Sequence, residues 1–306
     1  MLAKYKYHAV LHLIIFMWGF TGILGVLIKL DALTIVWHRL IIAAVSLVIA
    51  MFFLKESFKV SSRKRLLSLY LVGFVVGLHW LTFYWSIQLS TASLGILCLS
   101  TTTVHVAWLE PLIMRRPFSW LEMLLSLSVV FGIYFVANDF NVNHLWALGV
   151  GLSSAFFAAL FAVYNAKFAE NDRPAVITLY EMLGAAILMT VFLLIKGELN
   201  AGLFTMTVSD LLWLLFLGTL CTSAAFLIVV QIIKRLGAFT VSLSINLEPI
   251  YTIVLAIFIL DEHEKLDPKF YWGAVIIFAV VLLNAVLKSP RLKKRKTTES
   301  AATKKA

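Results

Sequence analysis

Residues 33 to 54 read Leu33-TIVWHRLIIAAVSLVIAMFF-Leu54, and the middle of this stretch, Leu40-Ile41-Ile42-Ala43-Ala44-Val45, is apolar at every position. A half-buried strand would alternate, and a helix on a soluble protein would carry one apolar stripe; this run does neither. The hydrocarbon core of a bilayer is about 30 Å thick, which about 20 helical residues cross. Backbone N–H and C=O groups have no water to pair with there, so such a run pairs its own backbone as a helix. The alternation that a membrane barrel needs is absent from it.

Working outward, similar runs recur along the chain. The expected spans are 8–28, 33–54, 66–86, 91–114, 119–137, 144–168, 175–195, 209–233, 239–260 and 270–288. The composition agrees, with 61% hydrophobic residues, 14% charged residues and a mean hydropathy of +0.95 over 306 residues, which leaves no room for a soluble domain. The predicted fold class is an all-α integral membrane protein of ten transmembrane helices. Span 8–28 follows Lys4 and Lys6 but is too long for a signal peptide and is closely followed by another span, so it is expected to be retained.

Lys and Arg favour the cytoplasmic ends of spans. Only Lys29, Lys196, Lys265 and Lys269 lie on the far side and Arg39 lies inside a span, leaving 21 of the 26 basic residues on the side of the N-terminus. Both termini are therefore expected to be cytoplasmic, in a cell membrane such as the bacterial inner membrane. The net charge of +10 owes much to the tail from Ser289. Anionic lipid headgroups suffice as its partner, so no nucleic acid is invoked. Residues 289–306 have too few apolar side chains to pack a core and are expected to be a disordered basic cytoplasmic tail. Cys98 and Cys221 fall inside spans and show no metal-ligand spacing; no cofactor is expected.

The two halves can be overlaid. Trp18-Gly19 to Lys29 lies over Phe156-Phe157 to Lys167, Arg39 over Glu181, and Leu89-Ser90 over Leu236-Gly237. Five spans is an odd number, so residues 141–288 run inverted relative to 1–140, the repeat arrangement of many secondary transporters. On these features the chain resembles the EamA-type permeases of the drug/metabolite transporter superfamily. The resemblance rests on the two five-helix repeats, on Phe16-Met-Trp-Gly19, on Arg39, and on Asn246-Leu-Glu-Pro249 followed by Leu260-Asp-Glu262. In that family a Pro in the fourth helix of a repeat precedes a Glu at the helix end, a spacing that Pro249 and Glu262 match. The first half departs from it: Thr102 and Arg115 stand at the aligned positions, and Pro111 comes nine residues late. No site is carried over to Glu110. The resemblance implies export or exchange of amino acids and other small metabolites.

Charges in hydrocarbon cost at least about 2.5–3.5 kcal/mol at a helix centre, so they usually face a bundle interior or a wet cavity. Glu248 is the deepest. Pro249 beside it cannot donate its backbone hydrogen bond and is expected to kink the helix, so the pair is a candidate gate or ligand contact. A structural kink with Glu248 bonded to Asn246 is the alternative. Arg39 can hold a substrate carboxylate in a forked pair, and Glu181 can take an amine or a proton; an interhelical ion pair explains either equally. His79, Trp80 and Tyr84 form a deep aromatic run, with Trp80 and Tyr84 on one helical face. Thr101, His105 and Trp108 make a polar stripe one span later. The candidate substrate-binding set is therefore Glu248, Arg39, His79, Trp80, Tyr84, Thr101, His105, Trp108 and Asn246, with Glu248, Pro249 and Glu181 as candidates for gating or coupling.

The leading expectation is a secondary transporter of a small metabolite, most simply an amino acid or related amphipathic compound, working by alternating access. No nucleotide-phosphate loop is visible, so any drive is ionic. Proton coupling through Glu248 or Glu181, uniport and exchange all fit. A lipid or lipid-linked sugar translocator keeps the same fold. An intramembrane enzyme would need His79, His105 and Glu110 to converge. Oligomeric state is open.

Overall fold

The computed structural model describes residues 2–90, 92–136 and 145–259, with the further positions 272, 275, 276, 279, 280 and 283. Helix is the regular secondary structure found in these segments. In order it forms α1 (Leu2–Leu27), α2 (Ala32–Phe53), α3 (Arg63–Leu89), α4 (Ala92–Ser100), α5 (Thr102–Met114), α6 (Trp120–Val136), α7 (Leu145–Phe168), α8 (Pro174–Lys196), α9 (Val208–Gly218), a π-helical turn (Thr219–Ala224), α10 (Ala225–Leu236), α11 (Ala238–Ile245) and α12 (Glu248–Ile259). Among the described residues six helical segments are long and apolar enough to cross a bilayer uninterrupted: 6–27, 32–53, 63–89, 145–168, 174–196 and 208–236. Apart from those isolated positions, the expected tenth span, Glu262 and the basic tail lie outside the described residues.

Local chemistry sets the starts of the helices. Asp31 caps α2 by accepting from the backbone N–H groups of Leu33 and Thr34, at 3.0 and 3.1 Å. Ser62 caps α3 by accepting from Arg65, and Thr207 and Asp210 form a reciprocal capping box at α9. Each cap satisfies N–H groups that the first turn of a helix leaves without partners.

Two expected spans are interrupted and a third is distorted. The fourth is divided at Thr101, whose hydroxyl donates to the carbonyl of Cys98 at 2.7 Å while its own N–H also reaches that carbonyl. In the run Ser100-Thr101-Thr102-Thr103, side chains offer the backbone an alternative to the helix ladder. The ninth, expected to be kinked, is fully broken at Asn246-Leu247, where both N–H groups bond three residues back, to Leu243 and Ser244. Pro249 follows and has no N–H to extend the ladder from Ile245. The eighth is continuous but carries the wider π turn in its middle.

Packing is closest between α3 and α8. A Cβ on Gly73 would collide with the backbone of Glu181, and one on Gly184 would come within 2.6 Å of the carbonyl oxygen of Tyr70. The two glycines let each helix press its backbone against the other, as small residues do at helix crossings in membranes. One apolar core is built mainly on α2, α3, α8 and α9, and a second on α1, α5, α7, α10 and α11. Phe52, Phe53, Leu112, Ile195 and Phe258 are among the large apolar side chains left on the outside. That exposed apolar belt suits lipid rather than water.

The connections tie the helix ends. The N–H of Lys29 donates to Asp210 at 2.9 Å, and Gln88 bridges the turn before α2 by accepting from Ala32 and donating to Leu30. At the opposite ends Arg65 pairs with Asp172 at 2.8 Å, and Arg116 pairs with both Glu110 and Glu122.

Candidate functional site

Where the two cores meet, a cavity opens around Arg39, with about 850 Å³ of space not filled by atoms, its mouth included. Its walls come from α1, α2, α3, α4, α5, α7, α10, α11 and the first residue of α12. Arg39 is only 3% exposed. Its Nε donates to the hydroxyl of Thr222 at 2.7 Å, an Nη donates to the hydroxyl of Tyr84 at 3.4 Å, and the guanidinium lies over the ring of Trp80, 3.7 Å from its centre. A buried charge needs such partners, and cation–π contact is strongest where water is excluded.

The π turn explains how Thr222 reaches the arginine. Its hydroxyl donates to the carbonyl of Leu217, five residues back, at 2.7 Å and accepts from Arg39. The next residue, Ser223, bonds Ser46 of α2 at 2.9 Å, while the indole N–H of Trp18 donates to the carbonyl of Cys221 at 2.9 Å. Helix α1 and helix α2 therefore both grip the irregular turn. π-Helical turns often sit at functional sites for this reason: they release backbone acceptors and re-aim side chains.

Glu248 faces the same cavity from the start of α12 and is buried. Among the described residues its carboxylate accepts no hydrogen bond and pairs with no cation within 4.0 Å. Arg39 is the charged group that acts on it electrostatically. Its place in the first turn of α12 sets the carboxylate against the positive end of that helix. The same cavity has an aromatic wall centred on Phe226, with ring centroids 5.2 Å from Trp80, 5.7 Å from Trp18 and 6.0 Å from Phe161. A fixed cation, a buried carboxylate that makes no ion pair among the described residues and an apolar wall together complement a small zwitterion with a hydrophobic part.

His79 also lines the cavity, held by Ser154 of α7: its Nδ1 lies 2.8 Å from the Ser154 hydroxyl and 3.0 Å from its carbonyl. The lining continues to Asn165 near the end of α7, Ile233 near the end of α10 and Val241 early in α11. The space thus extends toward the side of the membrane that holds the turn between α10 and α11.

Of the residues singled out from sequence, the cavity brings together Arg39, His79, Trp80 and Glu248. Tyr84 stands behind Arg39, fully buried, as its hydrogen-bond partner. Trp80 offers its face to Arg39, so the cation it stacks on belongs to the protein. Asn246 does not reach the cavity; its amide donates to the hydroxyl of Thr103 at 2.6 Å, tying the break in the ninth span to the fourth. Thr101, His105 and Trp108 also lie elsewhere. Thr101 and His105 line a separate groove with Leu127, Val130, Leu152 and Phe156, and Trp108 stacks on Phe156 at 6.4 Å. The stripe on α5 faces α6 and α7 instead. Glu181 sits one layer behind the wall, next to Asn165. Only the backbone of Pro249 is described, in the first turn of α12. Glu110 is engaged by Arg116, so His79, His105 and Glu110 occupy three different places.

Thr21, Phe161 and Phe226 line the cavity without having stood out in the sequence. The recurrence of Phe226, Val229, Val230 and Ile233 on one helical face is the signal that could have marked α10 as a wall. Among the described residues no group of three or more His, Cys, Asp or Glu is arranged to hold a metal.

The chain is similar to the uncharacterized transporter YojE of Bacillus subtilis (strain 168), 24% identical over 297 residues, which cover 86% of this chain and 89% of that protein. It is likewise similar to the uncharacterized transporter YdfC of the same organism, 25% identical over 223 residues and 71% of each chain. A solved crystal structure shares the fold with a TM-score of 0.72 at 12% identity, covering 93% of this chain and 99% of the other. The EamA-like transporter family model matches residues 6–138 and again residues 145–286. With helices that cross a membrane several times, an internal cavity holding buried charges, and that match over nearly its whole length, the chain belongs to the EamA-like transporter family.

Proposed function

We propose that this protein is a secondary transporter, without enzymatic activity, that moves a small zwitterionic or amphipathic metabolite of the amino-acid kind by alternating access. Arg39 binds the carboxylate, Glu248 meets the amine or a proton, and the aromatic wall around Phe226 takes the apolar part. The observation that carries this reading is the convergence of Arg39 and Glu248 on one cavity, with no ion pair to Glu248 among the described residues. Charges of opposite sign spaced across an apolar space select a ligand that carries both.

In this reading residues 1–140 and 141–288 are inverted five-helix repeats that rock about the cavity, and 289–306 is a basic tail on anionic lipid. Two features support the repeat: the third helix of each half ends at the overlaid positions Leu89 and Leu236, and the fourth is interrupted in both, at Thr101 and at Asn246-Leu247. Both termini are cytoplasmic in a bacterial inner membrane, and the cavity extends toward that side. The test is counterflow of labelled amino acids in proteoliposomes, with and without a pH gradient, beside Glu248→Gln. Saturable counterflow that Glu248→Gln impairs is the expected result; no counterflow by folded protein overturns it.

The groove between α5, α6 and α7 favours a second reading, a lipid translocator, because it opens between helices rather than inside the bundle. Its lining shares no residue with the cavity of Arg39 and Glu248. The internal cavity therefore carries the leading reading.

A further inference from the structure

Glu181 is fully buried in α8, and neither of its carboxylate oxygens accepts a hydrogen bond. Asn165, 1% exposed, stands next to it on α7, and the amide oxygen of Asn165 also lacks a donor. The Asn165 amide is placed to approach the carboxylate as a donor, yet no hydrogen bond within 3.5 Å closes between the two side chains. Three orphan acceptor atoms thus lie buried side by side, and Asn165 connects them to the central cavity, whose lining it joins. Removing a carboxylate from water without a cation or a donor costs several kcal/mol.

The neighbours do not supply that charge. Helices α2, α3 and α10 pack against α8. Besides Arg63, Lys64 and Arg65 in the first turn of α3 and Tyr84 near its end, these helices carry six titratable groups: His38 and Arg39 on α2, Tyr70 and His79 on α3, and Lys234 and Arg235 on α10. His38, Arg39 and His79 bond to Thr34, to Thr222 with Tyr84, and to Ser154 respectively. Tyr70 meets the ring of Tyr180, and Lys234 and Arg235 stand in the last turn of α10. None of the six pairs with Glu181. Gly73 presses its backbone onto that of Glu181 and brings α3 and α8 together there.

We propose that Glu181 is a proton-binding site and that Asn165 reports its occupancy to the cavity wall. A proton on one oxygen removes the charge and turns an orphan acceptor into an O–H donor. A primary amide suits both states: rotated one way it offers its oxygen to that O–H, and rotated the other way it offers an N–H to the ionised carboxylate. Each exchange of the proton with water in the cavity therefore turns the polar group that the cavity presents at Asn165. The coupling to substrate rests on the transport reading above; the protonation of Glu181 does not.

The test separates the two. Infrared difference spectra of the full chain in lipid nanodiscs, taken between acidic and alkaline buffer, report the C=O stretch of a buried carboxylic acid without any substrate. A band present in the wild type and lost in Glu181→Gln is expected, and Asn165→Ala should move its frequency because the hydrogen-bond partner is gone. Spectra of wild type and Glu181→Gln that coincide overturn the site. Should Glu181→Gln not fold, an unmoved band in Asn165→Ala overturns it equally. In proteoliposomes loaded with a labelled amino acid that the wild type exchanges, Glu181→Gln should keep counterflow and lose accumulation driven by a pH gradient. Retained accumulation overturns the coupling, whereas absent counterflow in the wild type falls on the transport reading and leaves the infrared result standing.

Discussion

Thr222→Val replaces a hydroxyl by a methyl at nearly constant shape and isolates what the π turn does for Arg39. The lost oxygen is the acceptor 2.7 Å from Arg39 Nε. Hydrogen bonds to charged groups contribute about 1.5–3 kcal/mol, and a buried donor left without an acceptor suffers most of that loss. The Trp80 face at 3.7 Å and the Tyr84 hydroxyl at 3.4 Å remain, so the guanidinium keeps two of its three supports. The lower figure, about 1.5 kcal/mol, then applies, which corresponds to about a tenfold weaker apparent affinity if Arg39 holds the substrate carboxylate. Counterflow half-saturation, measured in proteoliposomes for wild type, Thr222→Val and Thr222→Ser, checks it. Serine keeps the acceptor and should stay near the wild type. Equal half-saturation in all three would refute the assignment of Thr222 as the group that aims Arg39.

Gly184→Ala adds a methyl where the carbonyl of Tyr70 leaves no space, and overpacking of this kind costs about 1–3 kcal/mol, visible as a lower midpoint of thermal unfolding in detergent. His105→Leu alters the groove on α5 alone, so amino-acid counterflow should match the wild type; a loss of counterflow would move the site to that groove. Arg116 lies between α5 and α6, and although burial works against its charge, the hydrogen bond it donates to Glu122 and the charges of Glu110 and Glu122 hold it above the ordinary arginine value. Its contribution to stability is thus complete below that ordinary value and fades only as pH rises through the raised one, so midpoints should not respond to Arg116 across neutral pH. Arg116→Met removes the shared cation from two mostly buried carboxylates and should lower the midpoint, and adding Glu110→Gln with Glu122→Gln should recover part of it.

The helices were legible because hydrocarbon leaves the backbone few options: runs such as Leu40 to Val45 can only be helical. The interruptions were less so. Pro249 announced a disturbance, but the hydroxyls of Ser100 to Thr103 and the π turn at Thr219–Ala224 depend on which neighbours accept or donate, and those neighbours are far away in the chain. Arg39, His79 and Glu248 stood out because polar groups in lipid must face something polar. Tyr84 and Asn246 stood out for the same reason, yet they face Arg39 and Thr103 rather than the cavity. Periodicity marks a polar stripe without saying which helix lies opposite, and this is why Thr101 and His105 meet a different groove. Phe161 and Phe226 carried no mark, since an aromatic ring in an apolar run faces lipid or cavity with equal ease.

The π turn also sets the phase of everything after it. An α-helix advances by about 100° per residue, so the one extra residue of an i to i+5 turn rotates the rest of the span by about that angle. Phe226, Val229, Val230 and Ile233 meet the cavity only because of that rotation. Deleting a single residue between Thr219 and Ala224 would leave a regular helix of the same composition with this face turned about a quarter of a turn aside, and Thr222 would lose its aim at Arg39. A one-codon change that preserves every apolar residue of α10 would thus erase one wall of the cavity, so length in this segment constrains the protein more tightly than residue type.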